Sequence, residues 1–464
     1  MWLSFASRAI SLVVLLPLVL GMAGTLLPAF HYLPALGSDH FDLSAWYNLW
    51  QAPELIGSLQ LSLFSGTVAT LLSLLIAFAA VALFYRTSFM RFVNASLAPI
   101  LAIPHAAIAI GLLFLISPSG WIIRIISPWL TGFERPPNWI SVQDPYTLSL
   151  VLALVIKETP YLIFVILAGI KQLQPEATIR IGLTMGYAPI TTWRKVLLPA
   201  LYPIIRLPLF VVLAFSLTVV DLALVIGPNT PSTFAVTLFR WFNDADLDLR
   251  FTASAGAILL MLLIAAACWG WEMTYQFTKY FSRKTWCNGK RLTISRYFIQ
   301  SGGLFYALLM LLATLAIAIL PLWSVAQRWR FPDVLPSSWT MKNIVSSLPL
   351  LTELSINTLI IAAISTSLAL FFSLVVLEHK QTTKASTSLF DRLIYLPILL
   401  PQVGFLFGIQ IMLIWSGQNG NFCAVILLHL LYVLPYVYLT LHGPYLAFEQ
   451  HYYTQALALT RRPL

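Results

Sequence analysis

Among the side chains inside apolar stretches that can carry charge or a proton, Arg206 reads as a side chain reaching toward the cytoplasmic interface, while His105, Lys157, Glu158 and Asp221 stand deepest. An ionisable group in a lipid-spanning helix is costly unless it faces protein or water, so each is a candidate pathway or intramembrane polar residue by default. Lys157 and Glu158 are adjacent, and neighbours on a helix point apart. This suggests that Lys157 pairs with Asp221 across two helices, leaving Glu158 toward a pathway or the other half of the molecule. His105 follows Pro104, and a proline inside a helix frees a backbone carbonyl. A packed histidine bonded to that carbonyl and a solute ligand are both open readings, as are solute contact and locking of helix packing for all four charges.

Other chemistry is thinly supplied. Cys268, Cys287 and Cys423 are scattered without ligand spacing, so neither a disulfide framework nor a metal site is expected. There is no phosphate-binding loop of the Gly, four residues, Gly-Lys-Ser or Thr type. Nor do acids, histidines or a nucleophile with its base cluster along the chain. The expectation is a protein with no catalytic residues, no metal and no cofactor.

The elements that must hold these groups are membrane helices. The 464 residues are 59% hydrophobic and only 9% charged, whereas soluble domains carry about 25% charged residues. Apolar stretches of about 20 residues, enough to cross a hydrocarbon core roughly 30 Å thick, predict ten spans. They fall at 9–30, 56–85, 96–118, 148–170, 200–227, 251–278, 301–325, 355–377, 393–415 and 422–442. Lipid offers backbone groups no partner, so every crossing is expected to be helical and the fold an all-α polytopic membrane protein. The first stretch resembles a signal peptide, with Met22-Ala23-Gly24 as a passable cleavage site. Its apolar run continues to Phe30, long enough to span uncleaved.

Most of the 27 Lys and Arg fall in loops on the side of the amino terminus. By the positive-inside bias this places the amino terminus in the cytoplasm. The net charge of +10 then reports topology and lipid contact, not a nucleic-acid partner. The densest basic loop carries Lys279, Arg283, Lys284, Lys290, Arg291 and Arg296 and reads as a hinge between two halves. Trp46, Trp50, Trp121, Trp129, Trp139, Trp241 and Trp329 on the opposite side suit an interfacial aromatic belt.

The chain resembles itself. Ser58, Pro104 and Gly111 recur at one offset as Ser355, Pro401 and Gly408, and Pro160-Tyr161 recurs as Pro435-Tyr436 after a shorter intervening loop. An even number of predicted crossings separates the copies, which makes them parallel repeats about an axis along the membrane normal, with a translocation path expected between them.

Between the fourth and fifth predicted spans the sequence runs from Gln174 through Pro175, Glu176, Ala177, Arg180, Gly182 and Gly186 to Pro189, and on to Val196, Leu198 and Pro199. Pro175 suits a first helical turn and Gly186 with Pro189 a helix end. A short helix outside the membrane is predicted, with Ile179, Leu183 and Gly186 on one face and Glu176, Arg180 and Thr184 on another, able to lie in a groove on a partner.

These residues resemble the cytoplasmic loop of bacterial binding-protein-dependent ABC permeases. That loop reads Glu-Ala-Ala, three residues, Gly, nine residues, an aliphatic residue, one more, then Leu-Pro. Gly186, Val196, Leu198 and Pro199 meet the spacing, while Arg180, Ile181 and Gly182 occupy the Glu-Ala-Ala positions and Glu176-Ala177 lies one turn earlier. Further likeness in Leu101–His105, Val155–Glu158 and Ser216–Asp221 continuing to Ile226-Gly227-Pro228 is to YnjC-type fused permeases, related to thiamine and iron(III) importers. The resemblance implies an ATPase-coupling loop at Glu176, Ala177, Arg180, Gly182, Gly186, Leu198 and Pro199, with a second copy at Gln455 and Ala456. It implies a first repeat at 1–280, a basic linker at 281–300 and a second repeat at 301–464, incomplete at about four helices. The implied partners are an ATP-binding subunit acting as a dimer, a periplasmic solute-binding protein and membrane lipids, in a multi-pass inner-membrane importer. An ion-coupled secondary transporter is the alternative that parallel repeats and intramembrane charges also fit.

Overall fold

A computed structural model describes residues 2–464 apart from 86, 287–295, 384–393, 395–396, 398–399, 447–457 and 459–464. The fold is all-α and polytopic, and among the described residues nine helical spans are long and apolar enough to cross a membrane. The helices are α1 (Trp2–Ala29), α2 (Ser44–Gln51), α3 (Leu55–Phe84), α4 (Ser88–Ala102), α5 (His105–Ile116), α6 (Trp121–Ile126), α7 (Leu148–Ile170), α8 (Pro175–Thr184) and α9 (Pro189–Thr192). They continue with α10 (Leu198–Thr218), α11 (Asp221–Ile226), α12 (Phe234–Phe242), α13 (Leu249–Trp286), α14 (Arg296–Val325), α15 (Lys342–Thr383), α16 (Gln402–Trp415) and α17 (Phe422–Leu446).

Two expected spans are broken. The span expected at 96–118 is α4 and α5, which part at Ile103, an extended residue (ψ 130°) before Pro104. Proline lacks an amide hydrogen and pushes the preceding residue out of the helical region, so Pro104 opens a helix instead of sitting within one. The span expected at 200–227 is α10 and α11, parted at Val219 (ψ 129°). The span expected at 393–415 appears as α16, 14 residues that open after Pro401, which is extended (ψ 111°) like the residue before Pro104; most of 391–399 lies outside the described residues. The eighth span is longer than expected, since α15 starts at Lys342.

The chain forms two compact units, Leu43–Ser346 on the one hand and Met1–Asp42 with Ser347–Leu464 on the other. In the first, α3 packs on α7, α10 and α14, while α5 packs on α14 and α11. Ser58 and Ser62 of α3 are fully or almost fully buried. Ser58 bonds the Thr237 hydroxyl, and the Ser62 hydroxyl accepts the Phe234 amide at 2.8 Å, so the polar edge of an apolar helix is satisfied by α12.

In the second unit α1 lies along α16. Thr25 Oγ1 donates to the Gly404 carbonyl at 2.6 Å, and a Cβ at Gly408 would overlap the Gly21 carbonyl. Gly111 stands in the same relation to α14, where a Cβ would overlap the Ala316 carbonyl. The two glycines that match in the sequence repeat thus serve one purpose in separate units. Each lets a helix approach backbone to backbone: α1 from the start of the chain, and α14 from its middle.

Beyond α14 a two-stranded ribbon, β1 (Ala326–Arg328) and β2 (Ser338–Trp339), carries the loop between its strands onto α6. Buried Arg124 fixes it, donating to the carbonyls of Ser119, Arg330 and Asp333 at 2.7–3.1 Å, with its guanidinium 5.1 Å from the Trp329 ring.

Candidate functional site: a buried polar cluster and an exposed helix

Helix α7 is the most deeply buried span, with 72% of its apolar window inside the protein, and it carries Lys157 and Glu158 at 3% and 7% exposure. The Lys157 ammonium donates to the Ile103 carbonyl at 2.7 Å and the Ile100 carbonyl at 3.2 Å. These carbonyls lose helical partners because the chain breaks before Pro104. A long cation from a neighbouring helix, rather than the adjacent histidine, therefore takes the acceptors that proline leaves free. No ion pair joins Lys157 to Asp221 within 4.0 Å among the described residues, which corrects the pairing expected from sequence.

His105, the first residue of α5, places Nε2 3.8 Å from Glu158 Oε1, and its ring lies 4.8 Å from Phe215 of α10. The expected carbonyl-bonded histidine is thus instead a histidine facing a carboxylate. Asp221 is exposed and opens α11, where a negative charge complements the helix dipole. Lys157, Glu158 and His105 therefore gather where α4, α5, α7 and α10 meet, with Asp221 near enough to act on the Lys157 charge through space without bonding to it. The cluster sets an ammonium on two backbone carbonyls with a carboxylate and an imidazole beside it.

The predicted short helix forms as α8, with Pro175 in its first turn and Gly186 in the left-handed region at φ 78°. Its carbonyls are closed by the Gly186 amide on Leu183 and the Tyr187 amide on Gly182, a C-terminal arrangement in which glycine carries no Cβ penalty. Gly182 is buried against Thr192, and a Cβ there would overlap the threonine hydroxyl. Glu176 and Arg180 are exposed, Ala177 is half-buried, and Ile181, Leu183 and Met185 are 60%, 52% and 59% exposed. Three apolar side chains of this short helix thus face away from the core.

The chain returns to the core through Trp193, which is buried and sits edge-on to Phe78 and Tyr85 at the end of α3. Residues Trp193–Leu197 form a single π turn, with the Leu198 amide reaching back to the Trp193 carbonyl. Pro199, which has no amide to give, follows at the start of α10. The Leu-Pro spacing seen in sequence thus corresponds to a wide turn through which the chain passes from α9 into α10; such π turns concentrate at functional positions. The ends of α4 and α7 on this side frame a cavity of about 670 Å³ lined by Thr87, Arg91, Asn94, Leu101, Phe164 and Lys171. Gln455 and Ala456 lie outside the described residues.

Some polar groups were not visible as partners in the sequence. Arg206 lies 3.7 Å from Glu272 of α13, which also accepts from Tyr202 at 3.1 Å and from Gln276. An apolar setting hides such a pair, because its members are 66 positions apart in sequence. Asp144, before α7, accepts the amides of Tyr146, Leu148 and Ser149 and the Ser149 hydroxyl. Burial pushes its carboxyl up, but those donors outweigh it and hold the group below the ordinary carboxylate range. Although no metal site is expected from sequence, His31, His40 and Asp42 bring one donor atom each within 4.8 Å of one another.

No family model matches the chain. Over 401 residues it is 28% identical to the inner membrane ABC transporter permease protein YnjC of Escherichia coli (strain K12), a match covering 86% of this chain and 70% of that protein. Over 148 residues it is 26% identical to the trehalose/maltose transport system permease protein MalF of Thermococcus litoralis, covering 31% of this chain and 47% of that protein. With its nine described spans, the chain is a multi-pass inner-membrane protein that resembles, in general class, the permease subunits of bacterial ABC transporters.

Proposed function

We propose that this chain is the membrane-spanning permease subunit of an ATP-driven importer, moving a small solute from periplasm to cytoplasm. In this reading the amino terminus is cytoplasmic, residues 1–280 and 301–464 are parallel repeats joined by 281–300, and α8 docks on a separate ATP-hydrolysing subunit. A periplasmic solute-binding protein delivers the solute. The observation that carries the proposal is α8: an exposed helix with three exposed apolar side chains, locked at Gly182 and tied by a buried tryptophan and a π turn to a spanning helix.

The mechanism follows from rigidity. Movement of α8 passes through Trp193 to α3 and through the π turn to α10, whose 21 residues span about 30 Å at 1.5 Å per residue. Near its far end Phe215 lies against His105. A push at α8 is thereby felt at the polar cluster without any bond being made or broken in this chain.

Co-purification with ATP-binding subunits encoded beside it tests the proposal. Stable capture is expected from the unaltered chain, and loss of capture from Leu183→Asp, an exposed position where folding is unaffected, and from Gly186→Arg. Capture that survives both substitutions, or no capture by any chain, overturns the docking role. The second reading, an ion-coupled secondary transporter, draws on the pair formed by buried Glu158 and half-buried His105. It requires uptake that collapses with the proton gradient and persists without any ATPase.

A further inference from the structure

The loop after α1 folds back on itself. Leu33 and Ser38 exchange backbone hydrogen bonds, Gly37 turns the chain at φ 83°, the Asp42 amide reaches the Phe30 carbonyl at 3.1 Å, and the Ser38 hydroxyl donates to the His31 carbonyl. Tyr32 and Phe41 stack across the two limbs at 4.6 Å with their planes 5° apart. This closure brings together residues that sequence separates: His31, His40 and Asp42.

Their geometry is that of a three-ligand metal site. Asp42 presents its two oxygens separately, Oδ1 3.9 Å from His31 Nδ1 and Oδ2 3.5 Å from His40 Nε2. The two imidazoles are 5.3 Å apart and tilted by 46°. Ligands at about 2.0–2.2 Å around a tetrahedral zinc ion stand roughly 3.4 Å from one another; the two carboxylate–imidazole separations, 3.9 and 3.5 Å, are close to that, while the two imidazole donors, within 4.8 Å, would draw together by up to about 1.4 Å as the loop closes on the ion. The remaining nitrogen of His40 faces Asp39 at 3.6 Å, just beyond hydrogen-bond length, so a small approach would give the carboxylate that orients a metal-bound imidazole. His31 is held at φ 63°, a conformation that side-chain-bearing residues adopt when their surroundings impose it. His40 is 65% exposed on its side chain and Asp42 38%, which leaves an approach and an open coordination position.

We propose that His31, His40 and Asp42 bind a divalent transition-metal ion, Zn²⁺ by ligand set, with Asp39 as the positioning residue behind His40. Two imidazoles and one carboxylate suit zinc and its neighbours, while magnesium and calcium call for oxygen ligands throughout. The ion would staple the two limbs of the loop at the end of α1. The inference does not depend on the importer reading.

The test uses the full chain in detergent, purified through a tag without histidine and stripped with a chelator. Zn²⁺ is titrated in competition with a fluorescent indicator, and Co²⁺ is followed by its visible absorption. One equivalent is expected to bind. His40→Ala and Asp42→Ala should each weaken binding at least 100-fold and abolish the four-coordinate cobalt spectrum, and Asp39→Asn should weaken it by about 10-fold to 100-fold. Unchanged size-exclusion profiles and metal-free thermal midpoints show that the variants are folded; should His40→Ala fail this control, His40→Gln replaces it. Less than half an equivalent bound by the unaltered chain, or binding that survives both ligand substitutions, overturns the site.

Discussion

Lys157→Met tests how a buried charge is held in this protein. Methionine matches the length and apolar stem of lysine but offers no donor, so the substitution removes two charge-assisted hydrogen bonds, 2.7 and 3.2 Å long, from the carbonyls at the end of α4. Bonds of this kind contribute about 1.5–3 kcal/mol each. Against that loss stands relief from burying an ammonium at 3% exposure, which costs several kcal/mol unless fully compensated. A net destabilisation of about 2–4 kcal/mol follows, because the break before Pro104 leaves the Ile100 carbonyl only a 3.3 Å bond from the Ile103 amide and lipid provides no further donor. In detergent this should lower the thermal midpoint by about 5 °C. Asp221→Asn, at an exposed helix start, should cost less than about 1 kcal/mol. The exchange Lys157→Asp with Asp221→Lys should be no better than Lys157→Asp alone. The reasoning fails if that exchange restores the midpoint, which would require a direct ion pair, or if Lys157→Met leaves it unmoved.

Gly111→Val should destabilise the chain by about 1–3 kcal/mol, the usual cost of overpacking, since its side chain would enter the Ala316 backbone; Gly408→Val should do the same against α1, and both are read as thermal midpoints. Trp193→Ala empties a site buried to 1% exposure and should cost about 3–5 kcal/mol, a loss readable in detergent unfolding. Asp144, whose carboxyl is depressed in the folded chain, contributes stability that is present above its unfolded pKa and lost as pH falls through its lower folded value. A midpoint-versus-pH profile should therefore lose its acid limb in Asp144→Asn, and an unchanged limb would exclude this carboxylate as its source.

The sequence reveals what local chemistry controls and hides what distant residues decide. Apolar length located the spans because burial in lipid depends on consecutive residues, and Pro175, Gly186 and Pro189 located α8 because caps act within a turn. The break before Pro104 is a proline effect that could have been placed there, whereas Val219 and Val220 give no comparable sign of the break between α10 and α11. Partner choice is harder still. Pro104 signalled a freed carbonyl, but its donor arrives from α7, 54 positions beyond Ile103 and 57 beyond Ile100, and proximity in sequence pointed to His105. Arg206 reads as a side chain reaching for the interface until α13 brings Glu272 to it. His31, His40 and Asp42 lie within one loop, yet only the Tyr32–Phe41 stack and the Leu33–Ser38 pairing make them neighbours. In each case the residue type is legible and the partner is not, because an acceptor such as a backbone carbonyl is present at every position. What selects one among hundreds is the place where the fold has withdrawn its ordinary donor. Helix breaks inside spans are accordingly the positions at which buried cations should be sought, with the carbonyls of the break as direct partners and carboxylates such as Glu158 and Asp221 acting on the charge through space.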